Sequence, residues 1–305
     1  CEGSLRRHSS RAWPKTSELG LKLPMDGFLI AAVLFAALLH ASWNALVKIG
    51  GDGLLTIFLF KALSAPVAAT MLIFTGFPNI DSMPYAFGSG VILLFYCIFL
   101  GHAYQNADFS LVYPVARGVA PPAVALLAMV FVGEALESSV FIGTAIVSIG
   151  ILLLTYARRI DHKVMLGLVS AAGVGITIAA YTLVDGIGAR RSGDAIAYIA
   201  FLNLATFLPL GTFVMVRRRR AAVELVLAEW RRGLIGGCIM YMAYGIVIYA
   251  LTRAPMGMVS ALRETSVIIA AVIGTWMMNE PFGMRRFVAA CVVTAGVCII
   301  IMSRG

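Results

Sequence analysis

Four charged side chains, Lys61, Arg117, Arg263 and Glu264, stand inside stretches of sequence that are otherwise apolar. A guanidinium in hydrocarbon costs at least about 2.5–3.5 kcal/mol on the most lenient scale, so each must face a partner or a water-filled cavity. Two arginine forks suit a carboxylate or phosphonate, whose oxygens accept bidentate hydrogen bonds. Glu264 follows Arg263 directly, and neighbouring helix residues point about 100° apart, so the two need not be partners. Glu264 is expected to pair with Arg117 or with Lys61 across a cavity and to release that partner when protonated. The competing reading is an ion-pair network that fixes helix register without touching substrate, and for Lys61 a side chain that snorkels to an interface.

Further residues could line the same cavity. His40, Trp43 and Asn44 share one helix edge at spacing i, i+3, i+4, offering a titratable ring, an aromatic wall and an amide. A histidine satisfied between helices is the alternative. Of the tyrosines, Tyr96 and Tyr113 lie deep enough in their segments to nominate as substrate contacts. Tyr104, Tyr241, Tyr244, Tyr249 and His102 are not nominated, and some of this set must sit in the interfacial aromatic belt. Pro114, Pro121 and Pro122 remove N–H donors around Arg117, so the helix carrying it should be broken there, or else kinked. Gly167, Ala171, Gly175 and Ala179 form a small-residue stripe that reads as helix packing. Glu134 and Glu280 close their helices near an interface, where a structural or gating role is expected.

The elements that must position these groups follow from composition. Of 305 residues, 60% are apolar and 13% charged, with a mean hydropathy of +0.92. Soluble domains are about 45–50% apolar and about a quarter charged, so lipid must solvate most of this surface and soluble enzyme folds are excluded. The net charge of +9 does not point to nucleic acid, because the basic residues bound apolar runs, which is how membrane topology is encoded. The five cysteines are odd in number and show no C-x-x-C, so neither a disulfide framework nor a zinc site is expected.

Seven charge-free runs, at 27–47, 82–107, 138–157, 164–184, 195–216, 233–252 and 287–303, can each cross a bilayer. Three more carry the intramembrane charges: 53–80 with Lys61, 109–133 with Arg117, and 254–279 with Arg263 and Glu264. About 20 residues per run match a hydrocarbon core of about 30 Å. The longest connection, 217–232, holds the Arg217–Arg220 block and is expected to lie on the membrane surface. Residues 1–24 are polar and basic without the apolar stretch of a signal peptide; they are expected to be disordered or outside the translated chain, with Met25 the start.

The second half repeats the first. A shift of 146 residues superposes Arg117 on Arg263, Ala125 on Ala271, Glu134 on Glu280, Phe141 on Phe287, Val147 on Val293 and Gly150 on Gly296, without a gap. Two units follow, 25–157 and 158–305, each of five helices. An odd number forces the second unit to sit inverted in the membrane, with the substrate site at the midplane between the repeats. The expected fold is an all-α polytopic membrane protein of ten transmembrane helices in two inverted five-helix repeats.

These residues carry a resemblance. The five-plus-five pattern, the first helix ending in His40-Ala-Ser-Trp-Asn-Ala-Leu-Val-Lys48, and the pairs Gly133-Glu134 and Asn279-Glu280 are similar to EamA-type transporters of the drug/metabolite transporter superfamily. The resemblance spans nearly all of residues 25–304 and implies export or exchange of small metabolites such as amino acids, sugars or nucleosides, in bacteria commonly driven by a proton gradient. The His-Ala-Ser-Trp-Asn stretch resembles a branch tied to phosphonate utilisation. Arg117 and Arg263 depart from the mostly apolar sequence of the family there, which marks a substrate preference. The implied partners are a small polar, anionic or zwitterionic substrate, the lipid bilayer of a bacterial inner membrane, and a proton as coupling ion. No cofactor, metal or nucleic acid is expected, and the assembly is a monomer or homodimer.

Two other functional classes compete with this one. Asp185-Gly-Ile-Gly-Ala-Arg190 begins like the motif of membrane CDP-alcohol phosphotransferases, but Ile199, Asn203 and Phe207 stand where that chemistry needs a glycine and two aspartates, so no two-metal site forms. A channel or structural subunit is the other alternative, against which the paired arginines and the repeat argue for alternating access. Orientation stays open: counting from Met25, the side bearing the termini holds 4 Lys and Arg against 12 opposite, which puts the termini outside. The family resemblance implies cytoplasmic termini.

Overall fold

The computed structural model describes residues 25–107, 109–135, 137–153, 161–278 and 284–302, so Glu280 and residues 1–24 lie outside the described part. In order the helices are α1 (Gly27–Ile49), α2 (Gly53–Thr75), α3 (Met83–Asn106), α4 (Phe109–Val132), α5 (Ser138–Leu152), α6 (His162–Arg191), α7 (Ala195–Leu251), α8 (Met256–Arg263), α9 (Thr265–Met278) and α10 (Met284–Met302). Among the described residues there is no strand. Several charges that bound the apolar runs serve as caps. The carboxylates of Asp26, Asp52, Asp161 and Asp194 accept from Leu29 N, Leu55 N, Val164 N and Ile196 N at 2.7, 3.1, 2.8 and 2.7 Å. Each satisfies a backbone donor that the first helical turn leaves orphaned.

Six helical stretches are long and apolar enough to cross a membrane, within α1, α2, α3, α4, α6 and α7, and α5 and α10 are shorter apolar helices. Phe28, Ile73, Phe74, Phe131 and Val216 point outward, as side chains do where lipid is the solvent. The chain is thus an all-α, multi-pass membrane protein. The expected segments do not map one to one onto helices. Two of them, with the connection between, form the single element α7, and the run at 254–279 divides into α8 and α9.

The connection at 217–232 is helical and not a loop, because Arg, Ala, Glu and Leu there are all good helix formers. The backbone leaves helical angles only at Arg218 (φ −141°, ψ 33°) and Glu229 (φ −120°, ψ 23°). Those two kinks reverse the chain. On α2, Lys61 bonds Asn203 and Thr206 while its neighbour Phe60 clusters with Met240. A straight helix would separate Asn203 from Met240 by about 55 Å. α7 is therefore two antiparallel arms, α7a before the kinks and α7b after them, with α2 packed on both.

Two further expectations are corrected. α4 is continuous through Pro114, Pro121 and Pro122, with no break beside Arg117. The interruption falls in the second half, at Glu264, where the hydrogen bonds tighten to i→i+3 from Glu264 N to Ala261 O and from Val267 N to Glu264 O. α6 also continues past the expected end at 184 as far as Arg191, which brings Asp185 inside the helix.

α3 and α4 pack on α6, α1 packs on α7, α8 and α9, α4 packs on α5 and α8, and α5 packs on α10. The α5–α10 contact is backbone against backbone. A Cβ on Gly143 would lie 2.8 Å from the Gly296 carbonyl, and one on Gly296 would lie 2.7 Å from the Gly143 carbonyl. Only glycine permits that approach.

Candidate substrate and ion site

The long apolar helices surround a buried polar centre built from both halves of the chain. Arg117, in the middle of α4, is 4% exposed, and Glu264, at the α8–α9 break, is 2% exposed. Arg117 Nε lies 2.9 Å from Glu264 Oε2, and Arg117 Nη2 donates to Ser266 Oγ at 3.0 Å. Of the two partners expected for Glu264, this is Arg117. Lys61 is engaged elsewhere, donating from Nζ to Asn203 Oδ1 at 3.1 Å and to Thr206 Oγ1 at 2.9 Å. Asn203 Nδ2 in turn donates to Ser64 Oγ at 3.1 Å. Lys61 is half-buried and bonded inward, which excludes the snorkelling alternative in this conformation.

Arg263, 5% exposed, closes α8 with its guanidinium carbon 5.7 Å from the centroid of the Tyr244 ring. That is a cation–π contact, which strengthens where water is excluded. Tyr244 thus belongs to the centre and not to the interfacial belt. Its hydroxyl donates to Asp185 Oδ2 at 2.5 Å, and Ser89 Oγ on α3 donates to the same oxygen at 3.0 Å. Tyr181, one turn before Asp185 on α6, meets the Tyr244 ring edge-on at 6.1 Å.

The remaining nominated residues divide. His40, Tyr96 and Tyr113 are within electrostatic reach of Arg117. Tyr96 packs on the cluster of Ala116, Ala120, Val174 and Ile178, and Tyr113 on the main apolar core. Trp43 touches the His40 ring edge-on at 5.0 Å and packs on the cluster of Leu59, Phe60 and Met240. Asn44 donates from Nδ2 to the His40 carbonyl at 2.8 Å, so that donor is used within its own helix. Asp185, Tyr244, Tyr181, Asn203, Thr206 and Ser266 complete the centre and were not nominated from sequence.

Glu134 sits apart from this centre, at the end of α4. It pairs with Arg190 Nη2 at 2.6 Å and accepts from Met256 N, the first residue of α8, at 2.8 Å. Arg190 also donates to the carbonyls of Leu251 and Ala254. One carboxylate and one guanidinium thereby join the ends of α4, α6, α7 and α8. At the opposite end Arg232 donates to the Leu46 carbonyl and Arg218 pairs with Asp52, tying the α7 turn to the α1–α2 connection.

As ions, Lys61, Arg117 and Arg263 outnumber Asp185 and Glu264 by one positive charge. Such a centre can take an anionic group without a net unpaired charge, provided the anion displaces or shares existing partners. Among the described residues no group of His, Cys, Asp and Glu has the arrangement to hold a metal ion.

Residues 165–302 match the EamA-like transporter family. One solved crystal structure superposes on this chain with a TM-score of 0.67 at 16% identity, covering 89% of this chain and 94% of that one. That likeness concerns the fold alone. No curated protein matches by sequence.

Proposed function

We propose that the chain, whose residues 165–302 match the EamA-like transporter family, is a secondary active transporter, an exporter or exchanger of a small anionic or zwitterionic metabolite such as an amino acid or phosphonate. It works by alternating access in a bacterial inner membrane and is coupled to a proton. The observation that carries the substrate class is the buried centre with one cation in excess, in which Arg117 and Arg263 reach in from different helices. The substrate's acidic group competes with Glu264 for Arg117 and with the Tyr244 ring for Arg263. Lys61, His40, Tyr96 and Tyr113 bound the same space, and Trp43 and Asn44 hold the α1 wall.

Alternating access calls for two repeats of opposite orientation, and the packing supports ten crossings arranged in that way. Under the 146-residue shift, α4 corresponds to α8–α9, α5 to α10, α1 to α6 and α3 to α7b. The contact of α3 with α6 then has its counterpart in α1 with α7b, and that of α4 with α6 in α1 with α9. Equivalent helices that touch each other run antiparallel. Along α5, Gly143 meets Gly296 and Ile300 while Gly150 meets Val292 and Val293, and along α4, Arg117 meets Ser266 while Ala125 meets Gly257. A two-fold axis in the membrane plane produces that reversal.

Counterflow in proteoliposomes with a panel of amino acids, phosphonates and sugars tests the reading. Each arginine removed takes away a charge-assisted contact of about 1.5–3 kcal/mol, so Arg117→Gln and Arg263→Gln should each lower apparent affinity roughly ten- to hundredfold. Normal handling of an anionic substrate by both variants would overturn the substrate class. Flux without accelerated exchange would indicate a channel.

A further inference from the structure

Two carboxyl groups lie in the buried centre, and they are held by opposite kinds of partner. Glu264 faces the guanidinium of Arg117, a group that only donates and never loses its charge. A proton placed on that carboxylate would cancel the charge that faces Arg117 and leave a buried cation without its counter-charge. Asp185 faces hydroxyls. Its Oδ2 accepts from Tyr244 and Ser89, Tyr198 lies against the carboxyl group, and neither Asp185 Oδ1 nor Tyr198 Oη makes a hydrogen bond of normal geometry. Hydroxyls turn to donate or accept, so this pocket can satisfy the carboxyl group with or without a proton. Oδ1 accepts no hydrogen bond of normal geometry, so a proton can bind there with the Tyr198 hydroxyl turning to accept in place of donating.

The charged groups around Asp185 complete the picture. Lys61 on α2 is within electrostatic reach but bonds Asn203 and Thr206, outside ion-pair distance of the carboxylate. Tyr181 lies on the same helix, Tyr198 and Tyr244 on the two arms of α7, and Ser89 on α3. Arg263 and Glu264 approach only through Tyr244 and Tyr181. Tyr244 therefore touches both centres at once, with its ring under Arg263 and its hydroxyl on Asp185.

We propose that Asp185 is the coupling-ion site: a proton from one aqueous compartment binds Oδ1 to give the carboxylic acid and leaves to the other, and Tyr244 passes the change to Arg263. The coupling half of this proposal rests on the transport reading above. A proton on Asp185 leaves the centre one charge more positive, so proton and anion favour each other's binding, and by linkage the effect is reciprocal.

Infrared difference spectra of the purified protein between acid and alkaline buffers test the proton site without any substrate. The wild type should show a carboxylic-acid C=O band that is lost as pH rises; Asp185→Asn should lack it and Glu264→Gln should keep it. A band that survives in Asp185→Asn, or vanishes in Glu264→Gln, overturns the assignment. Should Asp185→Asn not fold, Tyr244→Phe removes one hydrogen bond from the same carboxyl group and should move the band; an unmoved band overturns the assignment equally. In proteoliposomes, with the panel compound that gives counterflow, Asp185→Asn should lose accumulation driven by a pH gradient by a larger factor than it loses exchange. Accumulation retained by Asp185→Asn overturns the coupling role. If no compound gives counterflow while the infrared band still follows Asp185, the transport reading fails and the proton site stands.

Discussion

Glu264 and Asp185 are equally enclosed, at 2% and 0% exposure, yet one ends on a guanidinium and the other on tyrosine and serine hydroxyls. The comparison teaches that burial alone does not assign a role to an intramembrane acid. What matters is whether its partners can adapt when a proton or a ligand arrives. Arg117 cannot adapt, so the Arg117–Glu264 pair is a fixed charge that only another anion can open. The hydroxyls around Asp185 can.

The largest effect that would break this comparison is expected at Glu264. Glu264→Gln leaves Arg117 buried without its counter-charge, which costs about 3–5 kcal/mol and should appear as a lower Tm in detergent. The double replacement Arg117→Met with Glu264→Leu should recover most of that loss while leaving anion transport abolished. Tyr244→Phe comes next: it keeps the ring under Arg263 but removes one hydrogen bond to a buried carboxyl, for about 1–3 kcal/mol. Asp185→Asn should be the mildest, within about 1 kcal/mol of wild type, because its amide still offers an oxygen to Tyr244 and Ser89. Thermal unfolding of the three single variants side by side checks the order. If Asp185→Asn destabilises as much as Glu264→Gln, the two acids are not differently held and the comparison collapses.

Much of the architecture was legible because lipid constrains sequence so strongly. Long charge-free runs became helices, and Arg117 and Arg263 stood out because a charge in hydrocarbon demands a partner. The same rule hid Asp185. When charges are used to mark the ends of runs, an acid at the end of 164–184 reads as a boundary, although α6 continues to Arg191. Tyr244 was missed because a tyrosine in an apolar helix looks the same whether it lies at an interface or at the midplane. The prolines of α4 suggested a break that packing against α5, α6 and α8 does not permit, whereas the interruption at Glu264 has no proline or glycine beside it. The charge of the arginine-rich connection suggests a solvated loop, while its helix-forming residues keep it helical through two kinks.

That kinked connection also has the composition of an interfacial anchor. Arg217, Arg218, Arg219, Arg220, Arg231 and Arg232 are gathered where the two arms of α7 meet, beside exposed Leu227 and Trp230. Arg218 and Arg232 are engaged with Asp52 and the Leu46 carbonyl and Arg220 with Glu224, whereas a cation facing anionic headgroups contributes about 1 kcal/mol and a tryptophan prefers the same boundary layer. Since α2 is packed on both arms, an anchor at the turn fixes the immersion of all three crossings together. Lys61, Asn203 and Thr206, bonded to one another on α2 and the first arm of α7, would be held at one depth by such an anchor.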